Sequence, residues 1–246
     1  FPPRRVYDSF KDVKLPAVVA DDWKDIPDAA RKVSMSNPKI PVHEWMKQKN
    51  RWQLAVHAYL ASIRWTDEQI GRVMDALDQG PHAKNTIVVL FSDHGYHLGE
   101  KQRWSKFSLW ERTTRVPLII SVPNGIKGST DQPVELLSIY PTLIDLCGLS
   151  ENPKLEGESL QSLLKNPDTE WKHVAISTLG QNNHAIRDQR WRYIRYADGT
   201  EELYDHQNDP NEWINLAEEK VAPLYQKVIS RLKHHLPKTN VPQRGG

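Results

Sequence analysis

The stretch from Thr86 to Val122 constrains this chain more than any other. It opens on an apolar run, Ile87-Val88-Val89-Leu90-Phe91, and closes on another, Val116-Pro117-Leu118-Ile119-Ile120-Ser121-Val122. Both runs are short, β-branched and bounded by polar or turn residues, so both read as buried strands of a mostly parallel sheet. The loop between them is dense in chemically able groups: Asp93, His94, His97, Glu100, Lys101, Arg103 and Lys106. Open α/β sheets bind ligands beyond the carboxyl ends of their strands, and Ser92-Asp93-His94-Gly95 sits at such an end. Gly95 permits a sharp turn directly after two candidate metal ligands.

A carboxylate such as Asp93 suits hard cations, calcium or magnesium, whereas the His94 imidazole suits zinc and its neighbours. Spacing does not choose between them. Read alone, Asp93 equally caps the following turn through local backbone bonds, and His94 is equally a partly buried structural histidine. Lys106 follows His94 at an interval of 12 residues; by itself it reads as a solvated lysine. His97 faces substrate or bonds backbone. Glu100 and Arg103 pair with each other or touch substrate. Trp104 and Trp110 read as packing residues of the loop, and Arg112 and Arg115 as its anchors.

The run Ser92-Asp93-His94-Gly95-Tyr96-His97-Leu98-Gly99-Glu100, then Trp104-Ser105-Lys106, then Thr113-Thr114-Arg115-Val116-Pro117-Leu118, resembles the formylglycine-dependent sulfatases. The iduronate-2-sulfatase-like branch is the nearest pattern, because it carries His at the position of His94, where many members carry Asn. The resemblance implies that Asp93 and His94 hold the metal, calcium before magnesium or zinc, and that Lys106 is a catalytic residue contacting the sulfate group. It implies substrate-binding roles for His184 and Arg187 at the pocket rim, which as residues alone are a pair on a sheet surface; His97 joins them as a candidate substrate contact from its place in the loop. The implied reaction is hydrolysis of a sulfate ester, in a sulfated small molecule or polysaccharide such as a glycosaminoglycan. Phosphonate and phosphodiester hydrolases share the Asp-His-Gly pattern and form the alternative, with a non-catalytic glycan-binding fragment as a third reading. The implied compartment is periplasmic, secreted or lysosomal; the residues themselves leave it open.

Cys147 is the one cysteine among 246 residues, so no disulfide forms within the chain. It is followed by Gly148-Leu149-Ser150-Glu151 and does not match the Cys-x-Pro-x-Arg motif from which these enzymes make formylglycine. It reads as a small buried residue. The paired aspartates that begin the family's metal site are also absent. The resemblance therefore covers the C-terminal half of a sulfatase, and the expected partner is the N-terminal half of the same enzyme, which would carry the formylglycine. Phe1-Pro2-Pro3 resembles the segment just after the family's catalytic histidine. A net charge of +2 with acidic and basic residues well mixed argues against a nucleic-acid binder. No apolar run reaches the ~18 residues of a membrane span.

The expected fold is α/β: part of an alkaline-phosphatase-like sandwich over residues 1–165, and a smaller subdomain of antiparallel sheet and final helix over 166–246. Residues 1–44 are proline-rich and read as irregular. Residues 45–79 form the strongest helix, with Trp52, Val56, Tyr59, Ile63, Ile70, Val73 and Leu77 on one stripe. His57 lies off that stripe and reads as structural. A second helix spans 133–148, with Pro141 expected to kink it and Gly148 to stop it. Short strands follow at 173–178, 183–187, 191–196 and 202–205, the last two joined by the turn signal Asp198-Gly199. A last helix runs over 218–235 with Val221, Leu224, Tyr225, Val228 and Leu232 inward, and the tail at 241–246 reads as frayed.

Overall fold

The computed structural model describes residues 2–10, 12–218 and 220–242. Phe1 of the N-terminal resemblance and the tail from 243 onward lie outside the described residues. The first segment is less irregular than its prolines imply: α1 (Arg4–Tyr7), α2 (Asp28–Ser34) and α3 (His43–Gln48) punctuate it. Pro3 and Pro27 stand immediately before α1 and α2, where a missing N–H costs nothing. The long helix α4 (Trp52–Asp78) starts later than its periodicity predicts. Asn50 takes φ +53°, and the Arg51 N–H bonds back to Met46 O at 2.8 Å. That left-handed cap closes α3, and asparagine is the non-glycine residue that tolerates it best.

The two apolar runs form β1 (Val88–Phe91) and, after the loop, β4 (Leu118–Ser121). Between them lie the short strands β2 (His97–Leu98) and β3 (Trp104–Ser105) and the single-turn helix α5 (Glu111–Thr114). β1 and β4 pair antiparallel with each other, Val89 opposite Ile120, not as neighbours in a parallel sheet. Nor are they buried: Phe91 is 48% and Ile119 57% exposed. A run apolar on both faces reads as an interior strand, but here each strand has only the other as partner among the described residues. The three clusters of buried core residues draw none of their members from β1 or β4.

Helix α6 (Ile139–Leu146) is shorter than predicted, so Pro141 falls in its first turn, where proline is tolerated, and not in its middle. Gly148 ends it at φ +62°, with Leu149 N bonding Ile144 O. Cys147, at its end, is exposed rather than buried. After α7 (Gln161–Lys165), the strands β5 (Ala175–Thr178), β6 (His184–Arg187), β7 (Trp191–Arg195) and β8 (Glu201–Asp205) make a four-stranded antiparallel meander in chain order. Gly199 takes φ +90° at the β7–β8 turn. Helix α8 (Ala222–Lys233) covers one face of the meander. Its inward set is Tyr225, Val228, Ile229 and Leu232, an i, i+3, i+4, i+7 stripe that leaves Leu224 81% exposed.

Alternation along β7 divides two cores. Tyr193 meets α8, whereas Ile194 faces Trp110, Leu109 and the α2 residue Ala30. Trp110 belongs to the loop between β1 and β4, so this second core seats that loop on the meander. Full burial of Trp110, Ile194 and Tyr204 contributes on the order of 2 kcal/mol per side chain. A third core joins α3 and α4 to the β2–β3 hairpin through Met46, Val56 and Trp104. Only the first part of the α4 stripe is used there: Ile63 and Val73 are 52% and 68% exposed. His57 is structural, stacked on Tyr7 at 4.0 Å and bonded through Nε2 to the Tyr7 carbonyl.

Candidate active site

The loop brings Asp93, His94 and Lys106 into contact. The His94 Nδ1–H donates to Gly95 O at 2.8 Å, which leaves the lone pair on Nε2. Lys106 Nζ donates to that nitrogen at 2.7 Å. Asp93 Oδ2 lies 3.4 Å from the same Nε2, while Asp93 Oδ1 accepts the His94 N–H at 3.0 Å. Asp93 is 79% exposed in its side chain and His94 34%, so the three polar ends gather at the surface. A carboxylate, an imidazole lone pair and an ammonium thus converge where an anion or a cation can reach them.

The Asp93 carboxylate suits a hard cation and the His94 imidazole zinc and its neighbours, and their 3.4 Å separation is compatible with two adjacent ligands of either kind of ion. Two ligands are fewer than the six to eight that calcium takes, so others must join them. The His94 lone pair can serve Lys106 or an ion, not both at once.

The other predicted substrate contacts lie elsewhere. His97 is 1% exposed and packs edge-on against Trp110. Thr113 Oγ1 donates to a carbonyl and accepts from Ser108, so His97 Nε2–H donates to Ser108 Oγ at 2.9 Å. Burial first, then the charge of Arg103, holds His97 down to about 3, and it is neutral. It is an interior brace of the loop, not a substrate ligand. His184 is also interior at 5% exposure, held between Thr178 Oγ1 and Asn240 Oδ1. Arg187 is committed to the Glu111 carboxylate at 3.5 Å and to the Asp188 carbonyl. The loop motif does not say that His97 points inward, and the β6 strand turns His184 inward and Arg187 onto Glu111; none of the three faces the Asp93, His94 and Lys106 group through these contacts.

Glu100 and Arg103 do not pair. Glu100 accepts the Leu98 N–H at 2.7 Å and faces Arg112 at 3.5 Å. Arg103 is 1% exposed and turns toward Met35 Sδ. Trp104 and Trp110 pack the loop, at 5% and 1% exposure.

Gly95 is required for a different reason than a turn. Its N–H donates to Thr113 O of α5 at 2.9 Å, and a Cβ there would meet Arg112 O at 2.1 Å. Backbone cannot yield as a side chain can. Gly95→Ala is therefore expected to destabilise the fold by about 1–3 kcal/mol, as overpacking does. A lower urea midpoint with unchanged m-value will show it.

Helix α5 is itself clamped by a buried ionic network. Arg192 of β7 pairs with Glu111 and lies 2.7 Å from Glu212. Glu212 also accepts from His206 Nε2 at 3.0 Å and from the Glu111 N–H at 2.9 Å. Burial alone would push Glu212 up. The Arg192 charge and the His206 and Glu111 bonds outweigh it and bring it down to about 2. Glu111, His206 and Glu212 are the group of three potential metal ligands found among the described residues. Arg192 already stands against both carboxylates and Arg187 against Glu111, so the group reads first as an ion-pair network. The available signal was parity: Arg192 shares the inward face of β7 with the core residue Ile194.

The sulfatase family profile matches residues 17–149, and the profile of the N-sulphoglucosamine sulphohydrolase C-terminal region matches 99–241. The chain belongs to the sulfatase family. A sulfatase of Formosa agariphila is 44% identical over 241 residues, 97% of this chain and 47% of that one. Among solved structures, a 2-O GAG sulfatase matches at TM-score 0.73 and 24% identity, over 94% of this chain and 56% of that one. A phosphonate monoester hydrolase from Silicibacter pomeroyi matches at TM-score 0.76 and 22% identity, over 95% of this chain and 53% of that one. The fold is the alkaline-phosphatase-like α/β fold of the sulfatases, with the antiparallel meander at its C-terminal end. The chain spans about half the length of the curated relatives it matches. Among the described residues no helix is long and apolar enough to cross a membrane.

Proposed function

We propose that this sulfatase chain supplies the metal-binding and sulfate-binding loop of an enzyme that hydrolyses sulfate esters of a sulfated sugar or glycosaminoglycan. The observation that carries the reading is the contact of Lys106 Nζ with His94 Nε2 beside the Asp93 carboxylate, at 2.7 and 3.4 Å. Asp93 and His94 are the metal ligands of this reading, with calcium the favoured ion. A cation held there supplies positive charge opposite the sulfate oxygens, where charge stabilisation is often the largest catalytic contribution. Lys106 presents a compact ammonium to a non-bridging oxygen. In binding sulfate it exchanges its bond to His94 for one to the ester, which releases the imidazole lone pair toward the ion. His94 in place of the commoner Asn assigns the chain to the iduronate-2-sulfatase-like branch in this reading.

The nucleophile, a formylglycine, and further metal ligands belong in this proposal to an N-terminal half joined to or paired with this chain. Two facts support that partner. The chain covers 47% of its relative from Formosa agariphila, and the apolar residues Phe91 and Ile119 stand open on strands that have no partner beyond each other among the described residues.

The test is an assay of the chain alone and of the chain joined to the upstream polypeptide, with sulfate and phosphonate esters side by side. Sulfate-ester turnover by the joined protein only is expected. Turnover by the chain alone would overturn the division of roles. The phosphonate monoester hydrolase neighbour favours one second reading, since an ammonium and a cation bind tetrahedral oxyanions of sulfur and phosphorus alike. Faster phosphonate than sulfate hydrolysis would establish it. No turnover by either protein, with retention on a sulfated glycan, would leave a binding fragment.

A further inference from the structure

Glu212, in the Asp209-Pro210-Asn211-Glu212 segment, touches the site loop twice, at Lys101 and at Glu111, 111 and 101 residues away in sequence. Its carboxylate accepts the Glu111 N–H at the start of α5. Its backbone carbonyl accepts from Lys101 Nζ, which also pairs with Asp22 at 2.9 Å and is 2% exposed. The two contacts bracket Lys106, one on each side in sequence. From α5 the path to the metal ligands is a single hydrogen bond, Gly95 N–H to Thr113 O at 2.9 Å.

The backbone of Glu212 supports a dedicated role. It takes φ +60°, a left-handed conformation that a non-glycine residue holds only when its surroundings impose it. That conformation is compatible with the carbonyl turning toward Lys101 while the carboxylate turns toward Glu111 and Arg192. Arg192 Nε stands 2.7 Å away and His206 Nε2 3.0 Å away, so the carboxylate is fixed from three directions. Removing one partner of such a buried set leaves the others uncompensated.

We infer that Glu212 is a positioning residue, which sets the geometry of Asp93, His94 and Lys106 by holding their loop at two points, one on each side of Lys106. This inference rests on the sulfatase reading for its catalytic meaning, but not for its structural content. The action is indirect: the distance between Lys106 and the two ligands is held by the loop, and the loop is held by Glu212.

Two variants and a control test it. Glu212→Gln keeps the size and an acceptor oxygen but removes the charge facing Arg192 and His206. Glu212→Asp keeps the charge, tolerates positive φ better, and is one methylene short of Glu111. Leu232→Ala is the control, because Leu232 is fully buried against the meander and belongs to a core that contains no loop residue. Amide hydrogen exchange of peptides covering 92–106 is compared in all three at matched fractions folded. The Glu212 variant that folds is expected to raise exchange in that segment at least tenfold over the control. In the joined enzyme the same variant raises the calcium concentration for half-maximal activity several-fold, with KM for the ester less affected than kcat. Loop exchange in a Glu212 variant equal to that of Leu232→Ala would overturn the inference, as would failure of both Glu212 variants to fold while the control folds, because the residue would then serve the whole fold and not the loop. Absence of sulfate-ester turnover in the unmutated joined enzyme would instead overturn the sulfatase reading, and the exchange measurement would still decide the role of Glu212.

Discussion

Lys106→Ala in the joined enzyme is expected to lower kcat/KM for a sulfate ester by about 10²–10³-fold, the loss that follows removal of one preorganised charge-stabilising donor. The expectation rests on where the ammonium stands. Lys106 is exposed, and its Nζ has one bond, to His94 Nε2 at 2.7 Å. A lysine of structural purpose in this loop looks different: Lys101 is buried, paired with Asp22 and set over the Tyr204 ring at 4.9 Å. Because Lys106 and an ion compete for one lone pair, the same substitution leaves metal affinity unchanged or tightens it. Calcium titration followed by thermal shift separates the two effects. Lys106→Arg is expected to recover only part of the activity, since a planar fork does not replace a compact ammonium. Activity of Lys106→Ala within a few-fold of the parent would remove Lys106 from the site.

The contrast between these two lysines shows what the sequence makes legible and what it does not. The meander was legible because strand alternation and a turn signal are local: Tyr193 and Ile194 point to opposite cores, and Gly199 supplies the positive φ of the β7–β8 turn. Asp93, His94 and Lys106 were singled out by the resemblance of their loop to the sulfatase motif, not by spacing, and the loop brings the three into contact. Arg192, His206 and Glu212 were not, because the network joins three segments whose separation carries no periodicity. The sense of β1 and β4 was also hidden. An apolar run specifies that a strand wants cover; it does not specify the direction of its neighbour, and here the two strands meet antiparallel. The break between α3 and α4 turned on one residue, Asn50, whose left-handed backbone leaves the apolar stripe uninterrupted while it ends the hydrogen-bond ladder.

His97 carries the second large expectation, a loss of stability that starts well above the carboxylate range. Burial and then the Arg103 charge hold the folded imidazole down to about 3, against about 6.5 in an unfolded chain. Between those values the unfolded state binds a proton that the folded state refuses. Stability therefore rises with pH through that window and is fully present above about 6.5; it falls by about 1.4 kcal/mol per unit as the pH is lowered. Across the whole window the loss is on the order of 5 kcal/mol, a large share of the 5–15 kcal/mol typical of a folded domain. His43 and His235 are also held below the ordinary histidine value by burial and act in the same sense. The decisive quantity is thus the difference from His97→Gln, whose amide can keep the bond to Ser108 but does not titrate. Glu212, held down to about 2, adds its own loss only as the pH falls below about 4.5. Asp22, Glu135 and Glu202, raised by burial, act in the opposite sense as the pH is lowered, so urea unfolding of parent and His97→Gln side by side between about pH 7 and 5 isolates His97 by difference. The parent is expected to lose more stability than His97→Gln in that interval. Equal slopes would mean that His97 is solvated and free to turn toward substrate, which would restore the role its place in the motif first implied.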